Sequence, residues 1–189
     1  MSGLKKRILG IPGSISKKST SHKFLNYLRQ KYREDLDIEV YDKVGELPHF
    51  NPELESALPD AVIDLRHAIE AADGILFCTP EYVFSLPGSL KNLIKWNVST
   101  VLFSNKAVAM IVAAASGEKA FESLALVLTT IEAVLPDESK LLIQGAKGKF
   151  DPLGKLTDEK LAIQLERLIN SFVSTIDDPD RAPSKYLDQ

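Results

Sequence analysis

The chain has 189 residues, 44% hydrophobic and 26% charged, with a formal net charge of −3, which is enough material for one globular domain with a sizeable core. That slight acidity leaves no cationic excess to neutralise a nucleic-acid backbone or an anionic membrane surface, so neither is expected as a partner. The single cysteine excludes an internal disulfide and a cysteine-based zinc site and suits a reducing compartment.

The opening stretch MSGLKKRILGIPGS carries an apolar run too short for a signal peptide, and no run in the chain reaches membrane-spanning length. A cytoplasmic protein is expected. Lys6–Ile11 reads as a first strand that Pro12-Gly13 ends. Hydroxyls then gather at Ser14, Ser16, Ser19, Thr20 and Ser21, ahead of the helical spacing of Phe24, Leu25 and Leu28. A helix N-terminus presents free N–H groups and a partial positive charge, so hydroxyl donors there suit a phosphate. The alternative is an N-cap among solvated serines. The loop lacks the spacing of a Walker loop and the three glycines of a dinucleotide fingerprint.

Asp37–Asp42 alternates as a second strand, after a helix ending near Tyr32, and Leu47–Pro52 is loop. An amphipathic helix from Pro59 to Ala71 leads into Gly74–Cys78, an apolar run that reads as a third strand buried on both faces. The loop Thr79–Ser85 follows, holding a proline, a carboxylate and two aromatics. Ser85 and Pro87 are expected to cap and open a helix running to about Val98. Lys106–Ala114 is a fourth strand with Ala115–Glu118 as its carboxyl-end loop, and Phe121–Leu135 is a long apolar helix. Leu141–Gln144 is a fifth strand. Thr157 is expected to cap a last helix from about Asp158 to Thr175. Residues 1–176 then form a single domain, and a flexible tail spans 177–189.

Strands alternating with helices imply right-handed crossovers and a parallel sheet covered on both faces. The expected architecture is α/β: a flavodoxin-like three-layer sandwich around a five-stranded parallel sheet of order 2-1-3-4-5. That order sets the loops after strands 1, 3 and 4 side by side at the switch point, where such sheets bind ligands. A phosphate pocket beside an aromatic loop is what flavin mononucleotide (FMN) requires.

At these residues the chain resembles the NADPH-dependent FMN reductase family of flavodoxin-like fold, with its quinone, azo-dye and chromate reductases. The family's Gly-Ser-x-Arg-x-x-Ser-x-Asn loop is similar to Gly13–Ser21. Its Pro-Glu-Tyr-Asn, Ser-x-Pro-Gly and Leu-Lys-Asn-x-x-x-Trp signature is similar to Pro80–Trp96. The resemblance implies that Ser14, Ser19 and the loop backbone hold the FMN phosphate, with Ser16, Thr20 and Ser21 in the same loop. It implies that Pro80, Glu81 and Tyr82 line the isoalloxazine, and that Ser116 and Gly117 close its far side. The family's arginine is Ser16 here, so Lys17 or Lys18 is expected to supply the charge; its first-loop asparagine is Ser21. The asparagine after the tyrosine is Val83, which is expected to face the flavin and, with Phe84, to favour flat apolar acceptors.

The resemblance further implies NADPH or NADH as co-substrate and ping-pong transfer to a small acceptor such as a quinone or free flavin. The flavin N5 carries the chemistry, and no catalytic protein residue and no metal is expected. A homodimer or homotetramer is also implied. Leu126 and Val134, which fall off the apolar stripe of the predicted Phe121–Leu135 helix, are expected at the interface. Other readings are an electron-transfer flavoprotein, disfavoured by the modest charge, and a flavin-free interaction domain of the same fold. Cys78 reads as a buried small hydrophobe, Trp96 as helix packing, and Glu81 as structural rather than a general base. His22, His49 and His67, which lack metal-ligand spacing, read as surface or loop residues.

Overall fold

The computed structural model describes residues 5–185. Strands β1 (Lys6–Pro12), β2 (Leu36–Val40), β3 (Gly74–Thr79), β4 (Ala107–Ala114) and β5 (Lys140–Gln144) form one sheet of order β2-β1-β3-β4-β5. Every neighbouring pair is parallel, so all carboxyl ends share one edge. Side chains alternate across each strand, and the chain uses both faces. Leu9, Ile11, Ile75, Phe77, Val108, Met110 and Val112 face helices α2 (Asp60–Ala71), α3 (Gly88–Lys95) and α4 (Glu118–Thr130). Ile8, Leu76, Cys78, Ala109 and Ile111 face α1 (Thr20–Lys31) and α5 (Glu159–Asp177). Phe24, Phe77 and Phe172 are fully buried, each worth about 1.5–3 kcal/mol of transfer free energy.

The fold class and strand order are as expected; several element ends differ. Helix α4 stops at Thr130, short of the expected Leu135. Thr129 and Thr130 bond back to carbonyls of Ala125 and Leu126, Glu132 turns left-handed at φ 63°, and the chain then runs extended. Val134 donates to Lys106 O and accepts from Val108 N, both at 2.9 Å, and is buried. The expected interface role of Val134 is therefore corrected: an apolar run that continues a helical stripe pairs with the start of β4 instead. Leu126 is partly exposed.

Two caps also differ. Pro87, not Ser85, is the N-cap of α3, and Ser85 Oγ takes Lys91 Nζ at 2.7 Å. Asp158, not Thr157, caps α5 by accepting Leu161 N at 3.0 Å. Past α5, Ser184 N reaches Ala133 O at 3.0 Å, its Oγ accepts Leu135 N at 2.7 Å, and Arg181 Nε reaches Asn105 O at 2.9 Å. The last residues of the expected tail, 186–189, lie outside the described residues.

Candidate active site

The carboxyl edge of the sheet holds a cavity of about 810 Å³, within the range of small-molecule sites. One end is the N-terminus of α1. Ser19 caps this helix by accepting His22 N at 3.3 Å, so the N–H groups of Thr20 and Ser21, which have no intrahelical acceptor, remain for another partner. Lys18 and Lys23 line this end with Ser19 and Thr20, and Lys147, from the loop after β5, lines the same cavity. Phe150 brings that loop to α1, its ring 4.7 Å from Phe24 and 6.0 Å from Tyr27. Among the described residues none of these three lysines is held by a carboxylate. Cations and a helix dipole there converge on a space suited to an anion.

The other end is lined by Pro80, Glu81 and Tyr82 from the β3 loop and by Ala113, Ala114 and Ala115 at the end of β4. The small side chains at the end of β4 give this part of the cavity an apolar lining. The β3 loop is held from several sides. Gly13, whose N donates to Cys78 O at 2.8 Å, packs so closely that a Cβ would strike the Thr79 side chain. Glu81 reaches across to α4: Oε1 accepts Gly117 N at 3.1 Å and Oε2 accepts Ala120 N at 3.0 Å. This carboxylate does the capping that Gly117, left-handed at φ 95°, has no side chain to do. Farther along, Asn92 and Trp96 hold the 48–50 loop, through Asn92 Nδ2 to Pro48 O at 2.9 Å, Phe50 N to Asn92 Oδ1 at 2.8 Å and Trp96 Nε1 to Pro48 O at 2.7 Å.

Between them, Tyr82 and Ser85 exchange backbone bonds at 2.9 and 3.0 Å in a two-residue hairpin. Its tip is Val83 at φ 51° and Phe84 at φ 52°. Two consecutive left-handed residues are what such a turn needs, and Asn-Gly is the pair that adopts them at least cost. Val83 is 95% exposed and Phe84 77%.

Residues 6–148 match the sequence profile of the NADPH-dependent FMN reductase family. The chain belongs to that family. It is an oxidoreductase, similar at 32% identity over 160 residues (82% of this chain, 86% of the relative) to an NAD(P)H-dependent FMN reductase of Pseudomonas aeruginosa. It is 28% identical over 172 residues (87% and 84%) to the NADH:(hydroxy)cinnamate reductase subunit of Vibrio ruber. Among solved structures it resembles a flavoenzyme NAD(P)H:(acceptor) oxidoreductase from Paracoccus denitrificans, with TM-score 0.82, 29% identity and coverage of 91% of this chain and 97% of that one.

Of the residues singled out in the reductase sequence, the structure brings Ser19, Thr20, Pro80, Glu81 and Tyr82 into the cavity lining. Ser14 is buried just behind it, its Oγ 3.4 Å from Tyr82 Oη and 3.3 Å from Ser16 N. Ser21 is buried with its hydroxyl beside the Cys78 thiol, and burial pushes that thiol up to about 12. Ser16 and Ser116 are exposed outside the lining, Gly117 is buried under α4, and Val83 points away at the hairpin tip. Lys17 pairs with Asp42 at 3.3 Å and Lys18 lines the cavity, so of the two candidate charges it is Lys18 that the structure brings there.

The reductase's lining residues Lys23, Lys147, Phe150 and Ala113–Ala115 were not expected; the 2-1-3-4-5 order draws attention to the loops after β1, β3 and β4, and Lys147 follows β5. His49 and His67 are exposed as expected, but His22 is buried. Its position three residues after the N-cap, the place a capping-box acid takes, was the available signal.

Proposed function

We propose that this chain is an FMN-dependent NAD(P)H oxidoreductase that passes electrons by a ping-pong mechanism to a small acceptor such as a quinone or free flavin. The observation that carries the reading is one cavity lined both by a helix N-terminus with Lys18 and Lys23, which no carboxylate holds among the described residues, and by the small apolar side chains of Ala113–Ala115. A phosphate-bearing planar cofactor fits that division. The phosphate would lie against Ser19, Thr20, the free N–H groups of Thr20 and Ser21, and Lys18, Lys23 and Lys147. The ring would lie along Pro80–Tyr82 and Ala113–Ala115, with Ser14 steadying Tyr82 and Ser116 and Gly117 flanking the far side.

When bound, FMN supplies hydride and electron acceptance at N5. The protein's own share is orientation and charge. Glu81 is committed to two backbone donors of α4, so it fixes the relation of the β3 and β4 loops and is not available as a base. One cavity serving both co-substrates in turn gives ping-pong kinetics. The relatives named above include NADH- and NAD(P)H-dependent reductases, and either nucleotide suits the site. A homodimer or homotetramer in the cytoplasm completes the proposal, with the apolar hairpin tip and Leu126 as exposed surface for assembly and the free Cys78 suited to a reducing compartment.

The test is to purify the full chain, identify released flavin from its absorbance, and vary NAD(P)H against a quinone in steady state. Bound FMN and parallel double-reciprocal lines are expected. Intersecting lines would overturn the ping-pong element, and a chain that neither retains nor takes up FMN would overturn the whole reading. Sedimentation equilibrium at micromolar concentration checks assembly, a monomer counting against it.

A further inference from the structure

Ser19, the N-cap of α1, is engaged on two sides. It lines the cavity, while its Oγ accepts His22 N at 3.3 Å and lies 3.0 Å from His22 Nδ1. Across the imidazole, Nε2 stands 3.6 Å from Asp42 Oδ1, just past β2, and the other oxygen of Asp42 takes Lys17 Nζ at 3.3 Å. His22 is 5% exposed, so the ring cannot exchange these partners freely for water. The groups facing it are Asp42 from the end of β2, Lys17 and the Ser16 carbonyl from the loop before α1, and Ser19.

A carboxylate opposite Nε2 favours the tautomer of the neutral ring that carries its proton on that nitrogen. Nδ1 is then an acceptor, and the donor beside it is the Ser19 hydroxyl. A serine has one proton to give, and in this state Ser19 gives it to His22 and offers the cavity only lone pairs, which an anion meets unfavourably. A proton placed on Nδ1 reverses the bond. His22 then donates to Ser19 Oγ, and the Ser19 O–H is free to turn to the cavity.

We propose that His22 is a positioning residue for the cofactor phosphate: the anion at the α1 N-terminus is taken up together with a solvent proton that settles on His22 Nδ1 and releases the Ser19 hydroxyl as a donor. This rests on the reading of the cavity as the FMN site. Burial holds His22 below its ordinary value against the pull of Asp42, so the ring rests neutral near pH 7. A bound phosphate raises it. Binding therefore tightens as pH falls through the bound-state pKa and levels off below the free-state pKa. Protonation of the phosphate itself, with its second pKa of about 6, works in the opposite sense, so the informative quantity is the difference between wild type and a His22 variant.

The experiment is calorimetric titration of FMN into the flavin-free full chain near neutral pH, in two buffers of different ionisation enthalpy, which counts protons exchanged. It is repeated with riboflavin and with His22→Gln. Wild type is expected to take up more protons with FMN than His22→Gln does, riboflavin is expected to show no such difference, and the FMN Kd should tighten relative to the variant by up to about tenfold per pH unit. Because replacing a buried histidine can disturb α1, the His22 imidazole resonances of wild type are also followed against pH with and without FMN; its pKa should rise on binding. Equal proton uptake in both proteins, a riboflavin response equal to that of FMN, or an unmoved His22 titration overturns the inference while leaving the FMN site standing. Failure of FMN to bind at any pH overturns the reading of the cavity itself.

Discussion

The two loops that flank the cavity use their residues in opposite ways. In the β1–α1 loop, Ser19, Thr20 and Lys18 turn chemistry toward the cavity, and the departures from the family pattern, Ser16 and Ser21, fall at residues outside the lining. In the β3 loop and the helix behind it, the side chains of the most specific motif mostly build the frame: Glu81 caps α4, and Asn92 and Trp96 pin the 48–50 loop. A specific motif therefore marks a binding region without marking which of its side chains meet the ligand. On this account, changing cations at the first loop alters affinity for a phosphate, whereas changing the second alters stability and geometry.

The largest effect is expected from Lys18→Met combined with Lys147→Met. Removing two cavity cations that no carboxylate holds among the described residues should raise the FMN Kd by about tenfold to a hundredfold, each factor of ten being about 1.4 kcal/mol, and leave riboflavin affinity unchanged. Flavin fluorescence quenching reads both. Equal losses for the two ligands would erase the distinction between the loops.

Glu81→Ala comes next. It leaves Gly117 N and Ala120 N without their acceptors, at a cost of about 1–3 kcal/mol, and should lower Tm by about 2–4 °C for each kcal/mol in a chain of this size. Glu81→Gln, which keeps one acceptor oxygen, should fall between. An unchanged Tm for Glu81→Ala would mean that the cap contributes nothing.

Smaller still, and of opposite sign, is Val83→Asn with Phe84→Gly. Left-handed backbone costs a residue such as valine or phenylalanine roughly 1–2 kcal/mol, but asparagine keeps part of that cost and glycine returns about 0.5–1 kcal/mol as unfolded-chain entropy, so replacing both tip residues should raise stability in denaturant titration by a net of about 1 kcal/mol and leave the FMN Kd as it was. A large change in that Kd would put Val83 back against the flavin. Least of all, Cys78, raised to about 12 by burial, should resist iodoacetamide in the native protein near neutral pH and react only after unfolding. Alkylation at native circular dichroism would contradict its burial.

The sheet was legible because β3 and β4 are nearly continuous apolar runs, and alternation with helices leaves few topologies. The apolar spacing of α4 overruns its end at Thr130 because Ile131, Val134 and Leu135 continue it; composition cannot show that Glu132 turns left-handed and that Val134 pairs with β4. The hydroxyl loop was legible as an anion site from its place between a strand and a helix. Lys147 and His22 were not: the contribution of Lys147 depends on Phe150 packing against α1, and that of His22 on Asp42 arriving from β2. The asparagine that the family carries at position 83 read as a ligand contact, whereas the backbone at Val83 shows a turn position.

The central claim is that the α1 end of the cavity holds the phosphate of FMN while the Pro80–Tyr82 end holds its ring, and comparing FMN with riboflavin in the wild-type chain tests it most directly. The two ligands share the ring and differ in the phosphate. The account predicts that FMN binds at least about a hundredfold more tightly, about 2.7 kcal/mol, with an advantage that shrinks as salt is raised. Riboflavin binding as tightly as FMN at low ionic strength would contradict it.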